Sequence, residues 1–329
     1  MLIVTNFAGF PRQWMSSSGQ AGQTRIARDW REFVQQATEA DSILLVNCEP
    51  RLVMELAAYF LAFPFRRRPL VSADLVLRRP ATRVALCTLP LKRFLLSRVD
   101  HHIHYFKDLS GYQELFGIQL ARSSFVPFKA NLHRCCANEA EADGEYVLCF
   151  GRSLRDYDTF FRAMEQLPYP AAISRPDFAQ LRAHDARFTR NLNELPNNLR
   201  LLEDDGTDQA QIRILSRARM VVLPILKSSI AASGISTCLN AMLLGRCVIG
   251  TAGPGMSDIF SEEALIVPPE DPDRLAEQIR LAWKDDELRR RTAQFGHRYV
   301  LGLGGEPEFH QRIIDCVAGW HATACRAGG

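Results

Sequence analysis

The sequence lacks the features that mark several protein classes. Its 329 residues contain no low-complexity tract and no repeat of fixed period, which argues against disordered, fibrous and solenoid proteins. No uncharged apolar run reaches the ~18 residues that a membrane-spanning helix needs. The longest apolar stretch, 52–65, contains Glu55 and Pro64. We therefore expect a buried or surface-lying helix there.

Cysteine spacing that would indicate a zinc site or a disulfide framework is also absent. The nine cysteines are scattered, no CxxC pair occurs, and Cys135 and Cys136 are adjacent. An odd cysteine count in a long chain favours reduced thiols in a reducing compartment. The N-terminus, MLIVTNFAGF, has no basic segment before its apolar run, so it predicts a first strand and not a signal peptide. These features predict a cytoplasmic protein without a metal site.

Charge is unevenly distributed along the chain. Residues 1–130 contain 17 Lys and Arg against 10 Asp and Glu, a net charge of +7, whereas residues 131–329 carry −4. A basic first half favours an anionic partner for that half, the alternative being surface charge that is merely solvated.

What the sequence does have is a regular alternation of strand-type apolar runs and helical patterns. Predicted strands cover 2–7, 42–48, 69–77, 101–106, 123–128, 146–151, 171–174, 198–203, 219–226, 247–251 and 264–269. Predicted helices cover 25–40, 51–63, 90–99, 109–118, 157–167, 208–218, 236–244, 272–285 and 306–324. This alternation predicts parallel βαβ units and an α/β fold with two doubly wound domains in series.

The domains are expected to meet at an irregular segment. HRCCANEAEADGE (133–145) has no apolar period, so the predicted domains cover 1–135 and 145–303, followed by a final segment, 304–329. In doubly wound sheets, ligands bind beyond the carboxyl ends of the strands.

Two arginines follow a strand end in the second half. In CFGRSLRDYDTFFRAM (149–164), the predicted strand ends at Gly151, and Arg152 and Arg155 precede the next helix. Arginines in the crevice of an α/β sheet suit a phosphate group. The alternative is that both are solvated loop charges.

A second strand end leads into a helix whose first turn has only small or hydroxyl side chains around one isoleucine. The stretch SGISTCLNAMLLGRCVIGT (233–251) begins with Ser233, Gly234, Ile235, Ser236 and Thr237. Free N–H groups at a helix N-terminus attract anions, and a glycine permits close backbone approach. Capping of the helix by Ser233 or Ser236 is the alternative.

A third loop, TAGPGMSD (251–258), follows the next predicted strand and should reach the same edge of the sheet. Its alternative interpretation is a plain turn. Three phosphate-compatible loops on successive strand ends favour an anion site more strongly than any one of them.

These motifs together resemble the donor-binding domain of family 4 glycosyltransferases and their relatives. The resemblance covers about 146–285 well and the first half loosely, where HHIHYFKDLSGYQELFGI and SSFVPF are similar to the end of an acceptor domain. It implies the GT-B fold, with two Rossmann-like domains facing a cleft and a C-terminal helix crossing back to the first. It also implies transfer of a sugar from a nucleotide-sugar, UDP- or GDP-linked, without an organic cofactor or a metal.

The resemblance assigns roles to some residues of the second half. Gly151 and Arg152 match the family's strand-end GR, and Arg155 is the nearest candidate for its second cation on the donor diphosphate. The family's two glutamates fall on Ala232 and Asn240, so that pair is missing. Asn240 takes the position that contacts the ribose.

The first half should then hold the acceptor. The Gly- and Gln-rich loop 7–25 is expected to reach the diphosphate through Gly19 and Gly22, or else to be disordered. Asp74 is a candidate general base if the enzyme inverts, the alternative being a buried or capping carboxylate. If it retains configuration, as family 4 members do, the leaving phosphate assists the acceptor and the arginines stabilise its charge.

Three histidines lie on one predicted strand, HHIHYF. One of His101, His102 and His104 could face the sugar or the leaving phosphate, and His102 and His104 are the candidates. Structural histidines are the alternative.

Basic and apolar residues mix in FPFRRRP (63–69), LRRP (77–80) and LKRFLLSR (91–98). They suit docking at the inner face of an anionic membrane, and with it a glycan or lipid-linked acceptor, as in bacterial polysaccharide or glycolipid synthesis. Scattered surface charge is the alternative.

Other functions fit less well. A GT-B sugar-nucleotide epimerase would need cleft carboxylates that the second half does not clearly supply. A non-catalytic nucleotide-sugar-binding protein on a degenerate scaffold is favoured by the missing glutamates and opposed by the arginines and glycine loops. Nucleic acid is not an expected partner, because the basic residues are not interleaved with aromatic ones.

Overall fold

The computed structural model describes residues 1–134 and 144–328. The chain divides into two compact units, one formed by 1–127 with 307–329 and the other by 128–306. Most of the predicted linker, including Cys135 and Cys136, lies outside the described residues. The boundary between the two units lies between residues 127 and 128, a few residues before the predicted boundary at 135.

The first unit is an α/β sandwich around a seven-stranded sheet. Its strands are β1 Leu2–Thr5, β2 Gln13–Met15, β3 Ala21–Ile26, β4 Ser42–Asn47, β5 Leu70–Ala73, β6 His101–His104 and β7 Ser123–Phe125. Its helices are α1 Trp30–Gln36, α2 Pro50–Ala62, α3 Arg83–Leu96, α4 Ser110–Phe116 and the last helix of the chain, α11 Glu306–Gly328. The strand order is β2-β3-β1-β4-β5-β6-β7, with only β2 antiparallel to its neighbour.

The second unit has a six-stranded parallel sheet. Its strands are β8 Tyr146–Cys149, β9 Ala171–Ser174, β10 Leu199–Leu202, β11 Ala218–Leu223, β12 Cys247–Thr251 and β13 Leu265–Val267. Its helices are α5 Tyr157–Met164, α6 Phe178–Ala183, α7 Asp208–Ser216, α8 Ile235–Leu243, α9 Pro272–Lys284 and α10 Asp286–Leu303. The order β10-β9-β8-β11-β12-β13 reverses direction between β8 and β11. Ligand crevices of such sheets open at this reversal.

Burial explains why these runs form parallel strands. Every residue of β1, β5, β6 and β8 is buried, since helices cover both faces of a parallel sheet. The two sheets confirm the predicted α/β class with doubly wound, Rossmann-like parallel sheets.

The last helix completes the first unit. In α11, the Phe309 ring meets the edges of Phe7 and Tyr105 at centroid distances of 6.3 and 5.3 Å. Further along, Trp320 stacks on His101 at 5.4 Å. Aromatic contacts of this kind bury large apolar areas, so α11 belongs to the core of the first unit.

Among the described residues, no helix combines the length and the apolar content needed to cross a membrane.

Candidate functional site

The carboxyl edge of the second sheet is built around a buried arginine. The chain leaves β8 and turns at Gly151, whose φ is +102°. Arg155 follows, and its backbone pairs with Ile225 just beyond β11. Arg155 is only 1% exposed. Arg155 thus joins the two loops that leave the point of strand-order reversal.

Two glycines make room for the Arg155 guanidinium. A Cβ built on Gly234 would lie 2.7 Å from Nη1, and one built on Gly151 would clash with Nη2. Both glycines also have positive φ, +90° at Gly234 and +102° at Gly151. Any residue other than glycine at these two positions would force the backbone away from the arginine.

The guanidinium has no anionic partner within the described part of the chain. Its Nε and Nη1 are buried without a hydrogen-bond partner there, and no carboxylate forms an ion pair with it. Burial lowers the pKa of Arg155, yet an arginine remains protonated in proteins. An unpaired buried cation is strongly unfavourable. The arrangement therefore calls for an anionic ligand.

Helix α8 presents its N-terminus beside this arginine. Gly234 is the N-cap residue, and no side chain caps the helix, which rules out the alternative of serine capping. Ser233 instead places its hydroxyl 3.3 Å from that of Ser229. The N–H groups of Ile235, Ser236 and Thr237 are thus left for another acceptor. The predicted elements Gly151, Arg155 and Gly234 do come together.

Asn131 is a neighbour of this N-terminus that the sequence did not reveal. Its Nδ2 donates to the Ser236 hydroxyl at 2.8 Å, and its Oδ1 accepts from the Lys129 ammonium at 3.1 Å. The connection spans more than a hundred residues, so no local pattern could predict it. It places a lysine close to the first turn of α8.

Asn240 has a different role from the predicted contact with a ribose. Its Oδ1 accepts from the backbone N–H groups of Asn131 and Leu132 at 2.8 and 3.2 Å, and the residue is 2% exposed. It therefore fixes the segment leading into the second unit, and contact with a ribose would require it to leave this buried position.

The third loop is held by its own hydrogen bonds. Gly253 N–H donates to the Ser257 hydroxyl at 3.0 Å, and Gly255 N–H to an Asp258 carboxylate oxygen at 2.7 Å. These two N–H groups are already bonded within the loop and do not bind a phosphate. The loop is therefore the plain turn of the alternative interpretation. A Cβ on Gly255 would lie 2.5 Å from that of Ala232, so the turn supports the loop ahead of α8.

Arg152 points away from this cluster. Its Nη1 donates to the Gln180 side chain on α6, and the residue is exposed. No described contact joins Arg152 to α8, so Arg155 is the arginine that the fold places at the anion site.

The carboxyl edge of the first sheet carries two strained residues side by side. Cys48, after β4, and Asp74, after β5, have φ values of +56° and +49°. The Cys48 thiol donates to an Asp74 oxygen at 3.5 Å. Burial raises the pKa of Asp74 to about 6, although the thiol contact lowers it. Non-glycine residues in this conformation are uncommon and concentrate at functional sites.

Two asparagines are hydrogen-bonded to each other at the ends of the neighbouring strands β1 and β4. The Asn6 side chain, after β1, accepts from Asn47 N–H at 2.7 Å and donates to Asn47 C=O at 3.0 Å. It also donates to Glu49 at 3.1 Å. Asn6, Cys48, Glu49 and Asp74 therefore form a polar group along one edge of the first sheet.

The candidate histidines lie in the core of the first unit. His102 is 3% exposed and its Nδ1 is 2.8 Å from the Ser72 hydroxyl, while His104 is 1% exposed and stacks on it. Burial lowers their pKa values to about 3 and about 4. In this structure they are neutral, enclosed side chains, which corrects the expectation that they face a substrate.

Gly19 and Gly22 also have structural positions. The segment predicted as a loop forms a hairpin of β2 and β3, with Gly19 in its turn at a φ of +87°. A Cβ on Gly22 would overlap the indole of Trp14. Since β3 is parallel to β1, this turn lies at the amino edge of the sheet, opposite to Asp74. Both glycines thus serve the hairpin, and their expected reach to a diphosphate stays a prediction.

Metal-ligating clusters are not found in the described ranges: no three His, Cys, Asp or Glu side chains come together as a metal site requires. All seven cysteines described there are free thiols.

Comparison with known proteins finds a similarity to glycosyltransferases in the second unit. Residues 191–298, which include β11, α8 and β12, match the family model "Glycosyl transferases group 1". This segment is similar to the group 1 glycosyltransferases. The matched segment contains the uncapped N-terminus of α8 that lies beside Arg155. No curated protein matches the sequence.

Solved structures of similar proteins establish the fold of the chain. HepE of Anabaena, determined in complex with UDP, is 15% identical with a TM-score of 0.64 over 91% of this chain and 86% of its own. Sucrose-phosphate synthase of Thermosynechococcus elongatus is 16% identical with a TM-score of 0.62 over 98% and 89%. A trehalose-phosphate synthase of Burkholderia vietnamiensis is 12% identical with a TM-score of 0.62 over 91% and 76%. The chain therefore has the GT-B fold.

Proposed function

We propose that this glycosyltransferase moves a sugar from a nucleoside-diphosphate sugar to an acceptor hydroxyl, with the donor diphosphate held between Arg155 and the N-terminus of α8. One observation carries the proposal: Arg155 is a buried cation with no anionic partner in the described part of the chain. A diphosphate supplies the missing charge, and its oxygens can accept from the N–H groups that follow Gly234.

The same arrangement suits the chemistry of transfer. When the acceptor oxygen bonds to the anomeric carbon, the bond from that carbon to the phosphate oxygen breaks and negative charge grows on the leaving diphosphate. A preorganised guanidinium and helix N-terminus stabilise this charge more than they stabilise the bound donor. We propose a retaining reaction in which the acceptor proton passes to the leaving phosphate. No organic cofactor or resident metal is assigned a role.

The donor is proposed to carry UDP or GDP. HepE, a structural neighbour, was determined with UDP and with UDP-glucose, which supports a uridine donor. The acceptor is proposed to be a glycan or a lipid-linked molecule at the inner face of a bacterial membrane, in polysaccharide or glycolipid synthesis. The basic first half of the chain supports an anionic surface as partner.

Turnover of nucleotide-sugars tests this function. The purified protein is incubated with UDP-, GDP- and ADP-linked sugars and a panel of acceptors, and release of the nucleoside diphosphate is followed together with the anomeric proton signals of the product. We expect release with one nucleotide class and a product with the donor's anomeric configuration. An inverted product would refute retention only. Binding without turnover with any acceptor would favour the degenerate-scaffold alternative.

A further inference from the structure

Helix α3 is exposed to an unusual degree. It contains 14 residues, of which only Leu96 is buried, although it contacts α2 and α4. Large apolar side chains lie on its surface: Val84 is 73% exposed, Leu91 60% and Phe94 46%. An α/β domain normally buries the apolar side of such a helix, so these residues need another explanation.

Most of these exposed residues form one stripe, from which Leu86, 55% exposed, lies apart. Val84, Cys87, Leu91 and Phe94 follow each other at intervals of three, four and three residues, which places them on one side of the helix. Ala85 and Leu89, which are half-buried, and Leu96, which is buried, occupy the other side. The helix therefore has two apolar sides, and the first unit covers only one of them.

Basic residues surround the stripe without any acidic residue among them. Residues 75–99 contain Arg78, Arg79, Arg83, Lys92, Arg93 and Arg98 but no Asp or Glu. The Arg98 guanidinium lies 4.7 Å from the centre of the Phe94 ring, so charge and apolar surface are in direct contact.

A second exposed aromatic group lies in the same unit, in the segment before β5. Phe63 is 43% exposed and Phe65 76%, and the Arg66 guanidinium lies 5.8 Å from the Phe65 ring. The two parts are connected, because Arg67 donates to the Asp100 carboxylate at 2.6 Å and reaches the Arg98 carbonyl at 3.5 Å. The segment that follows Phe65 thus contacts the residues just after the end of α3.

We propose that the stripe of α3, together with Phe63 and Phe65, is the surface through which the protein docks on an anionic lipid bilayer. The apolar side chains enter the interfacial region and the basic residues meet the headgroups. A second copy of the chain is a poorer partner, because it would bring the same six positive charges against these. The inference rests on the proposed membrane association but not on the donor site.

Vesicle co-sedimentation tests the docking surface. The wild type is compared with the double variant Leu91→Ser/Phe94→Ser and with a control, Leu281→Ser/Leu301→Ser, which removes two exposed leucines from the second unit. Vesicles consist of phosphatidylcholine alone or mixed with phosphatidylglycerol. We expect the wild type and the control to bind the mixed vesicles, less so at high salt, and the α3 variant to bind about tenfold more weakly or worse. Unchanged melting temperatures show that each variant is folded.

Each other outcome contradicts a specific step. If the wild type does not bind mixed vesicles, membrane association itself is wrong. If wild type and α3 variant bind equally, membrane association stands but α3 is not the docking surface. Equal binding to phosphatidylcholine alone would overturn the role of charge. A dimer in size-exclusion chromatography that the α3 variant abolishes would assign the stripe to a second copy instead.

Discussion

The guanidinium of Arg155 lies directly against the backbone of Gly234, so close that a Cβ on the glycine would be 2.7 Å from Nη1. A buried cation, a residue in the left-handed conformation and an uncapped helix thus meet at one point. The unpaired cation and the uncapped helix end are each unfavourable alone, and a bound anion would offset both.

Substituting Gly234→Ala should harm both stability and donor binding. The left-handed backbone conformation costs an alanine roughly 1–2 kcal/mol, and the added methyl group displaces the Arg155 guanidinium. We expect a lower melting temperature and at least about a tenfold loss of affinity for the preferred nucleoside diphosphate, measured by calorimetry.

Gly206→Ala is the matched control. Gly206 has a similar φ of +78°, but a Cβ there meets nothing within 4 Å. Its variant should lose comparable stability and keep full nucleotide affinity. Equal losses of affinity in both variants would show that the effect at Gly234 is backbone strain and not contact with Arg155.

Replacing the thiol-bonded carboxylate by Asp74→Asn should change how stability depends on pH. The pKa of Asp74 is raised to about 6 from its ordinary 3.8, so its contribution is fully present below 3.8 and is lost as the pH rises through 6. The variant should therefore be more stable than the wild type at pH 8 by roughly 1–3 kcal/mol, and not at pH 4. Urea unfolding at both pH values measures the difference.

Turnover of the same variant tests the predicted base. If Asp74 accepts the acceptor proton, kcat of Asp74→Asn falls and the wild-type profile loses activity below about pH 6. Unchanged kcat would leave Asp74 a structural residue and agree with proton transfer to the leaving phosphate.

The variant His104→Phe should keep the fold and become less sensitive to acid. Both ring nitrogens of His104 are buried without a hydrogen-bond partner among the described residues, and the ring lies beside Phe106 and Tyr112. Its pKa is lowered to about 4 from 6.5, so its contribution is present above 6.5 and is lost as the pH falls through 4. Melting temperatures at pH 5 and pH 7 should differ less in the variant. A large loss of turnover at neutral pH would instead show that His104 acts in the active site.

Gly22→Ala separates a structural glycine from a ligand-binding one. The added methyl group would overlap the Trp14 indole, so the hairpin should be destabilised by about 1–3 kcal/mol. Nucleotide affinity of the folded fraction should not change. Thermal melting with and without the nucleoside diphosphate measures both quantities. Gly19→Ala is the control in the same hairpin that adds backbone strain, at a φ of +87°, but no contact within 4 Å of the new Cβ.

The apolar pattern predicted most of the fold because buried parallel strands and one-sided helices have clear periods. It failed where tertiary contacts replace the pattern. Strand β3, AGQTRI, is mostly exposed and polar, so it resembled a loop followed by a helix. Helix α3 was predicted to begin at Pro90, which instead lies inside it, and the charged α10 was missed.

The candidate site was predictable where a single loop determines it. Gly151, Arg155 and Gly234 follow strand ends, and the fold of parallel strands brings strand ends together. Asn131 and Cys48 could not be found in this way, because their roles come from hydrogen bonds to residues distant in sequence. The position of Asn240 resembled a ligand site but serves as an acceptor for Asn131 and Leu132.

The central claim is most directly tested by melting the variant Arg155→Met with and without UDP and GDP, beside the exposed control Arg213→Met. Because the methionine removes an unpaired buried charge, the free variant should melt at or above the wild-type temperature, while the upward shift caused by the nucleotide disappears. The control should behave as the wild type. A variant that melts lower than the wild type when free, yet keeps the nucleotide shift, would mean that Arg155 serves the fold and that the diphosphate binds elsewhere.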